Sequence, residues 1–281
     1  MIAGALLALL LSAGAPAPAS HFLFGGPGVD WVLLNGDGEV VSRHRRLGGV
    51  APLDAAVSRD GQRWAIATVD EAGRPMMLLQ RGLDDGAPRR IVGKGDVLDG
   101  LAFSQDGAWV YFSANDFSQP HFAPQPMLYA QVYRVRFDRG EPERLTLSAG
   151  CHMWPRPDTG TRVMVSHSTC RGGRSLDLLN SATRLEQVVL PPGSLVGETA
   201  PHPDGHKLFL SIAVPAGNEL RVLDRRSGSS ALWTTTPLNS ARSRPQWDAA
   251  GEHVFFQNDA RVWAVGASGE LRELCNLRSA E

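Results

Sequence analysis

The chain has 281 residues, of which 43% are hydrophobic and 20% are charged, with 30 Gly and 19 Pro. This is the composition of an ordinary globular protein, and it argues against the disordered and fibrous classes. The 28 basic residues nearly cancel the 29 acidic ones, so we expect no nucleic-acid partner.

The chain begins with MIAGALLALLLSA, an apolar run shorter than the roughly 20 residues that a transmembrane helix needs. Small residues follow, and cleavage after Ala19 places alanine at both critical positions before the cut. We predict a signal peptide over residues 1–19, one β domain over residues 20–281, and a periplasmic or secreted protein. Because no Lys or Arg precedes Arg43, an uncleaved anchor or a buried apolar strand remains open. No later segment is apolar enough to span a membrane.

A segment of about ten residues recurs along the chain at a spacing of roughly 46 residues. Each copy joins an apolar stretch, an Asp-Gly type of turn and an alternating strand of β-branched and aromatic residues, which is the chemistry of a β-hairpin. The copies begin at Val57, Phe103, Trp154, Pro201 and Gln246. A second hairpin lies between copies, so each repeat predicts four strands, A to D, with strand A innermost.

The pattern of an apolar residue, Ser or Pro, one further residue and Asp-Gly occurs at Val57–Gly61 and Phe103–Gly107. Together with Asp138-Arg139-Gly140 and the closing Arg144-Leu145-Thr146, it resembles the PD40 (WD40-like) repeats of the TolB family of six-bladed β-propellers. The resemblance covers nearly everything after residue 19 and implies an all-β propeller of four-stranded blades. Such blades also occur in prolyl-oligopeptidase-like peptidases, tricorn-like proteins and oligogalacturonate lyases, so the resemblance indicates the fold rather than the function.

A sixth blade precedes the first full copy. Trp31–Leu34 and Glu39–Arg43 flank the turn Asn35-Gly36-Asp37-Gly38, which predicts a C–D hairpin, and residues 21–24 match the B strand at residues 253–256. This first blade lacks an inner A strand. Only residues 276–281 remain to supply one, so we expect its closure to be short or imperfect.

In such a blade the B–C and D–A connections share one face of the propeller, where insertions are candidates for ligand contacts. The longest is Asn115–Pro126, which contains Asp116 and His121. The next B–C loop, residues 167–174, is polar and basic and could hold a carboxylate or phosphate. The predicted ligand-binding residues are Asp116, His121, His152, His167, Arg171 and Arg174.

Three of these residues, His121, His152 and His167, could converge at the channel mouth and hold a divalent transition metal. The alternative is that each histidine makes an isolated hydrogen bond, because no local spacing enforces convergence. We therefore predict no cofactor and keep a divalent metal open. Asp116 and Glu198 could pair as an acid and a base, although propeller carboxylates are more often turn caps. The tryptophans are expected to pack between blades, and His202 and His206 to lie on the surface.

Cysteine spacing fits no zinc motif, because the chain has no Cys-x-x-Cys pair. Cys151 opens strand A and Cys170 follows strand B of one hairpin, so the turn brings both to the same end. We predict a disulfide between Cys151 and Cys170, formed in an oxidising compartment, and a buried free thiol at Cys275.

The sequence therefore predicts an exported, monomeric, non-catalytic TolB-like propeller that binds a protein or cell-envelope component. The alternative is a metal-dependent, carbohydrate-active, lyase-like enzyme that uses the three histidines.

Overall fold

The computed structural model describes residues 20–84, 86–92, 98–115, 130–146, 151–160, 162–168, 174–180, 184–188, 195–215, 217–237, 244–248 and 250–278. All regular elements in these ranges are β-strands, and they form six sheets. Within these ranges, no helix has the length and apolar character that a membrane crossing requires.

Each sheet is one blade, with strands taken in chain order. Blade 1 consists of β1 (Phe22–Phe24), β2 (Trp31–Leu34) and β3 (Val40–His44). Blade 2 consists of β4 (Asp54–Val57), β5 (Arg63–Val69), β6 (Pro75–Arg81) and β7 (Arg89–Val92). Blade 3 consists of β8 (Leu98–Phe103), β9 (Trp109–Asn115), β10 (Ala130–Arg136) and β11 (Glu143–Arg144).

The last three blades continue the pattern. Blade 4 consists of β12 (Cys151–Pro157), β13 (Val163–Ser168), β14 (Arg174–Asn180) and β15 (Arg184–Gln187). Blade 5 consists of β16 (Leu195–Pro201), β17 (Lys207–Val214), β18 (Gly217–Asp224) and β19 (Ser230–Thr236). Blade 6 consists of β20 (Gln246–Trp247), β21 (His253–Asn258), β22 (Arg261–Gly266) and β23 (Leu271–Asn276). Neighbouring strands within each blade are antiparallel.

The repeated Asp-Gly segment forms the A–B turn of its blade. In blade 3, the N–H of Gly107 donates to the carbonyl of Ser104 at 2.9 Å, and Gly107 adopts a φ of 65° that favours glycine. The Asp106 carboxylate accepts from the Ser104 hydroxyl at 2.5 Å and from the N–H of Ala108 at 3.0 Å. The hydrogen bond from the Ser104 hydroxyl is the largest cause that holds the pKa of Asp106 below its ordinary value, and the bond from Ala108 adds to it. The turn chemistry inferred from the sequence is thus what joins β8 to β9.

The blades are held together by apolar contacts between their faces. Six clusters of buried side chains occur in the described chain, one between each pair of neighbouring blades. Phe22 of blade 1 and Phe255 of blade 6, for example, pack edge to face with ring centroids 5.2 Å apart. Burying one such side chain contributes about 1.5–3 kcal/mol, so inter-blade packing is a main source of stability.

Among the residues that the structure describes, the ring closes between blades 6 and 1 without a fourth strand in blade 1. Leu277, which follows β23, is fully buried against the apolar side chains of both blades. Its N–H donates to the carbonyl of Ala260 at 2.6 Å, and its carbonyl accepts from the N–H of Asp30 at 2.9 Å. Within the described ranges blade 1 has three strands and no inner one, as predicted, and Leu277 packs between the two blades instead.

Two further expectations about single residues have different outcomes. Trp247 packs edge to face against Trp233, with centroids 5.4 Å apart, in the cluster between blades 5 and 6, as predicted. The expectation that His202 is a surface residue is wrong. His202 is buried, its ring lies 4.5 Å from that of Trp247, and its Nε2 is 3.0 Å from the carbonyl oxygen of Gly251 in the next blade.

Candidate functional site

The inner strands surround a central cavity of about 220 Å³. Its walls come from β4, β8, β12, β16 and β20, and on the side of blade 1 from residues 21–23. Most lining residues are small or apolar, including Ala55, Ala56, Leu101, Ala102, Pro157, Ala200 and Pro245. The cavity therefore offers apolar contact area along its walls, and its charged side chains lie toward its two ends.

The cavity extends along the channel as far as the A–B turns. Arg59, Gln105, Pro203 and Asp248, which belong to the A–B turns of four blades, line this end. The sequence predicts ligand contacts on the opposite face, where the B–C and D–A connections lie. Among the described residues, the cavity instead reaches the face of the A–B turns.

A network of buried ion pairs forms the other end of the cavity. The guanidinium of Arg244 in blade 6 lies 2.5 Å from the carboxylate of Asp54 in blade 2. This ion pair therefore joins the two blades that flank blade 1. The carboxylate of Glu198 accepts from the guanidinium of Arg156 at 2.9 Å and from the backbone N–H of Arg244 at 2.8 Å. The network thus links blades 2, 4, 5 and 6 across the channel.

The charges in this network compensate one another. Asp54 and Glu198 are 4% and 5% exposed, and each carboxylate accepts from a guanidinium and from at least one backbone N–H. Asp54 takes its backbone hydrogen bonds from Ala55 at 2.7 Å and Leu101 at 3.0 Å. Removing one partner of such a pair leaves an uncompensated buried charge, so the network is suited to fixing the inner strands rather than to proton transfer.

Backbone conformation at one repeated position contributes to this arrangement. Gly100, Trp154 and Arg244 occupy the position four residues before the first turn residue of blades 3, 4 and 6, and their φ values are 67°, 52° and 45°. β-Bulges interrupt the inner strands of blades 3, 4 and 5 at this level. For non-glycine residues this region costs about 1–3 kcal/mol, which surrounding contacts must offset. At Arg244 those contacts include Asp54 and the ring of Trp31, whose centroid is 5.2 Å from the guanidinium carbon.

Comparison with solved structures supports the architecture. TolB from Acinetobacter baumannii is similar with a TM-score of 0.67 and 18% identity; the match covers 91% of this chain but spans only 63% of that protein. A protein described as TolB from Agrobacterium tumefaciens has a TM-score of 0.60 and 15% identity, over 92% of this chain and 91% of that one. The fold is a TolB-like six-bladed β-propeller.

The comparisons do not extend beyond the fold. A puromycin-hydrolysing peptidase from Mycobacterium tuberculosis is also similar, with a TM-score of 0.58 and 14% identity over 92% of this chain and 45% of that one. No family model matches the chain, and no curated protein matches its sequence. Because TolB-like propellers occur in proteins with different activities, the function has to be argued from the site.

Only some of the predicted ligand-binding residues of this TolB-like propeller fall within the described chain. Asp116, His121 and Arg171 lie outside it, and Asn115, expected to open the long loop, is the last residue of β9. The structure places His152 in β12 directly opposite His167 in β13. Arg174 begins β14 and pairs with Ser168.

The proposed metal site and the disulfide stay predictions. No group of three His, Cys, Asp or Glu residues in the described ranges is arranged to hold a metal ion, and His121 is not among the residues searched. Cys151 is buried at the start of β12, whereas Cys170 lies outside the described residues. Cys275 is a buried free thiol in β23, as expected, and burial raises its pKa.

Sequence reasoning missed most of the ion-pair network. Asp54, Glu198 and Arg244 each stand four residues before the first turn residue of their repeat, as Gly100 and Trp154 do. Charged residues at one position of an inner strand were a detectable signal once the copies were aligned. Glu198 was singled out as an acid or base paired with Asp116, but it is engaged by Arg156 and Arg244.

Proposed function

We propose that the chain is an exported, non-catalytic binding module, a TolB-like propeller whose central cavity holds part of a protein or another cell-envelope component. The observation that supports this proposal is the cavity itself, with apolar inner-strand walls and a neutralised ion-pair network at one end. Apolar walls favour burial of a ligand segment, and the carboxylates of Asp54 and Glu198 are held by guanidinium groups.

Export is part of the proposal. Residues 1–19 would be removed as a signal peptide, which makes Ser20 the first residue of the mature protein. Ser20 is buried, and its hydroxyl accepts from Nε of Arg59 at 2.8 Å, so cleavage after Ala19 preserves this contact. N-terminal sequencing of protein recovered from the native envelope tests this point. A start other than Ser20 would contradict the assigned boundary.

Site-specific photocrosslinking in the native envelope tests the binding role. A photoreactive side chain replaces Gln105, which is exposed at the cavity mouth, and in a matched control replaces Leu232, which is exposed on the outer strand β19. We expect one adduct from the mouth position, absent from the control and lost when Ala102→Trp fills the cavity. Adducts that are equal at both positions, or that are insensitive to Ala102→Trp, would contradict the proposal.

The metal-dependent alternative rests on one observation, which is that His152 and His167 are directly opposite on adjacent strands. A lyase-like enzyme would need a divalent metal bound by these two residues together with His121, which lies outside the described residues. Elemental analysis of the purified protein decides between the two functions. Stoichiometric metal that is lost in His152→Ala would favour the enzyme, and no stoichiometric metal would leave the binding role.

A further inference from the structure

The inner edge of β1 faces the central cavity. In blades 2 to 6 the inner strand pairs with the second strand, and β1 corresponds to that second strand because β2 and β3 follow it in the sheet. Among the residues that the structure describes, β1 pairs only with β2. Its other edge is therefore the place where a fourth strand would lie.

Backbone groups on this edge can be assigned from the alternation of hydrogen bonds. In blade 2, Arg63 and Ser58 exchange hydrogen bonds on the side of the inner strand. His21 holds the position of Arg63 in blade 1, and its N–H donates to the carbonyl of Arg59 at 3.0 Å, on that same side. Because alternate residues of a strand face the same neighbour, the N–H and carbonyl of Leu23 also face inward. Gly25 fits the same alternation, because its N–H also points inward and donates to the side chain of Gln257 at 3.0 Å.

Groups from neighbouring blades satisfy both ends of the edge, and the middle lies against the cavity. Arg59 of blade 2 and Gln257 of blade 6 bond the N–H groups of His21 and Gly25. Leu23 between them lines the cavity. Ala56 of β4 and Gln246 of β20, on the neighbouring inner strands, line the same space.

We propose that an extended segment of a partner polypeptide adds to β1 as the fourth strand of blade 1. This inference rests on the proposed binding function and names its ligand class. Backbone hydrogen bonds to Leu23 provide the recognition, as in other cases of strand addition. Since β1 has three residues and rises about 3.3 Å per residue, three to five residues of the partner are engaged.

The neighbouring inner strands indicate which side chains the segment carries. Ala55 and Leu101 are buried between blades, whereas the alternate residues Ala56 and Ala102 are partly exposed to the cavity. The partner segment therefore has apolar residues at alternate positions and small, uncharged residues between them. A charged residue in the segment would lie near the end of the cavity where Asp54 and Arg244 already neutralise each other, so its charge would find no partner.

A synthetic peptide tests the proposal on the wild-type mature protein. The probe is a capped hexapeptide with the sequence of residues 53–58, which includes β4, with Asn in place of Asp54 so that it adds no charge. Binding is measured by calorimetry, and exchange of the Leu23 amide is measured by NMR. We expect saturable binding and slowing of Leu23 exchange by about tenfold or more at saturation.

Two N-methylated peptides supply the matched control. The first peptide is N-methylated at the positions that correspond to Ala56 and Ser58, whose backbone N–H groups face β5 in blade 2. The second is N-methylated at the positions that correspond to Ala55 and Val57, whose N–H groups face away from β5. Strand addition predicts that the first pattern weakens binding by about tenfold or more and the second by less than about threefold. Equal weakening would overturn the proposal, and so would no binding at about 1 mM peptide. Protection of the Leu23 amide without peptide would also overturn it, because another segment would then already pair with β1.

Failure of this proposal can be told apart from failure of the binding function. If the Gln105 adduct forms and is lost in Ala102→Trp while the peptide leaves Leu23 exchange unchanged, the cavity binds a ligand but not by strand addition.

Discussion

Replacing Arg244 with methionine should destabilise the propeller, because the change leaves the Asp54 carboxylate buried without its guanidinium partner. Methionine keeps most of the aliphatic length but removes the 2.5 Å ion pair and the hydrogen bond to the carbonyl of Ala55 at 3.3 Å. Glu198 keeps both of its partners, since the bond from residue 244 comes from the backbone N–H. The main effect is therefore on Asp54, with smaller losses at the Ala55 carbonyl and the Trp31 ring.

The size of the effect follows from what Asp54 retains. Removing one partner of a fully buried ion pair costs about 3–5 kcal/mol. Asp54 still accepts from the N–H groups of Ala55 and Leu101, and the Arg244 side chain is 22% exposed, so we expect a loss of about 2–3 kcal/mol in the free energy of unfolding. Adding Asp54→Asn removes the stranded charge and should recover about 1–2 kcal/mol.

Urea denaturation followed by tryptophan fluorescence measures these differences, with equal m-values required for comparison. The control is Arg261→Met, which makes the same substitution in an ion pair with Glu273 whose side chains are 55% and 37% exposed. This control should cost no more than about 1 kcal/mol. An Arg244→Met variant that is no less stable than the control would refute this prediction, and so would a double variant as unstable as the sum of its single changes.

Three further predictions address other parts of the chain. Non-reducing peptide mapping of protein from the native envelope should show a disulfide between Cys151 and Cys170; free thiols at both positions would refute it. Replacing residues 116–126 with a short Gly-Ser turn should shift the Tm by less than about 3 °C, because we expect an insertion on the loop face to make no strand hydrogen bonds; a collapsed Tm would make the segment structural. The lowered pKa of Asp106 means that its ionised form stabilises the fold above about pH 4 and that this contribution is lost as the pH falls through the folded pKa. The stability difference between wild type and Asp106→Asn should therefore vanish in acid, and a difference that persists unchanged at pH 2 would contradict this.

The fold was predictable because its local signals are strong and repeated. Asp106 and Gly107 specify an A–B turn by their own hydrogen bonding and backbone conformation, and the same turn recurs in neighbouring repeats. The incomplete first blade was also visible, since residues 21–24 resemble a second strand with no inner strand before them. The role of Leu277 was not visible, because its burial depends on two blades that are distant in sequence.

The site was less predictable because its contacts are non-local. Asp54 and Arg244 are separated by most of the chain and meet only because the ring closes. Long loops and histidines are conspicuous in sequence and were therefore predicted to form the site. The small residues of inner strands, such as Ala56 and Ala102, carry no such signal, although they line the cavity.

Amide exchange of the whole chain, with and without the ligand captured from the native envelope, tests the central claim most directly. If the ligand occupies the cavity, protection should increase at Leu23, in the inner strands β4 and β8, and at the mouth near Gln105. The outer strands β3 and β19 should exchange at unchanged rates. Protection confined to β3 or β19, with Leu23 and β8 unaffected, would place the ligand on the outside of the propeller and contradict the account.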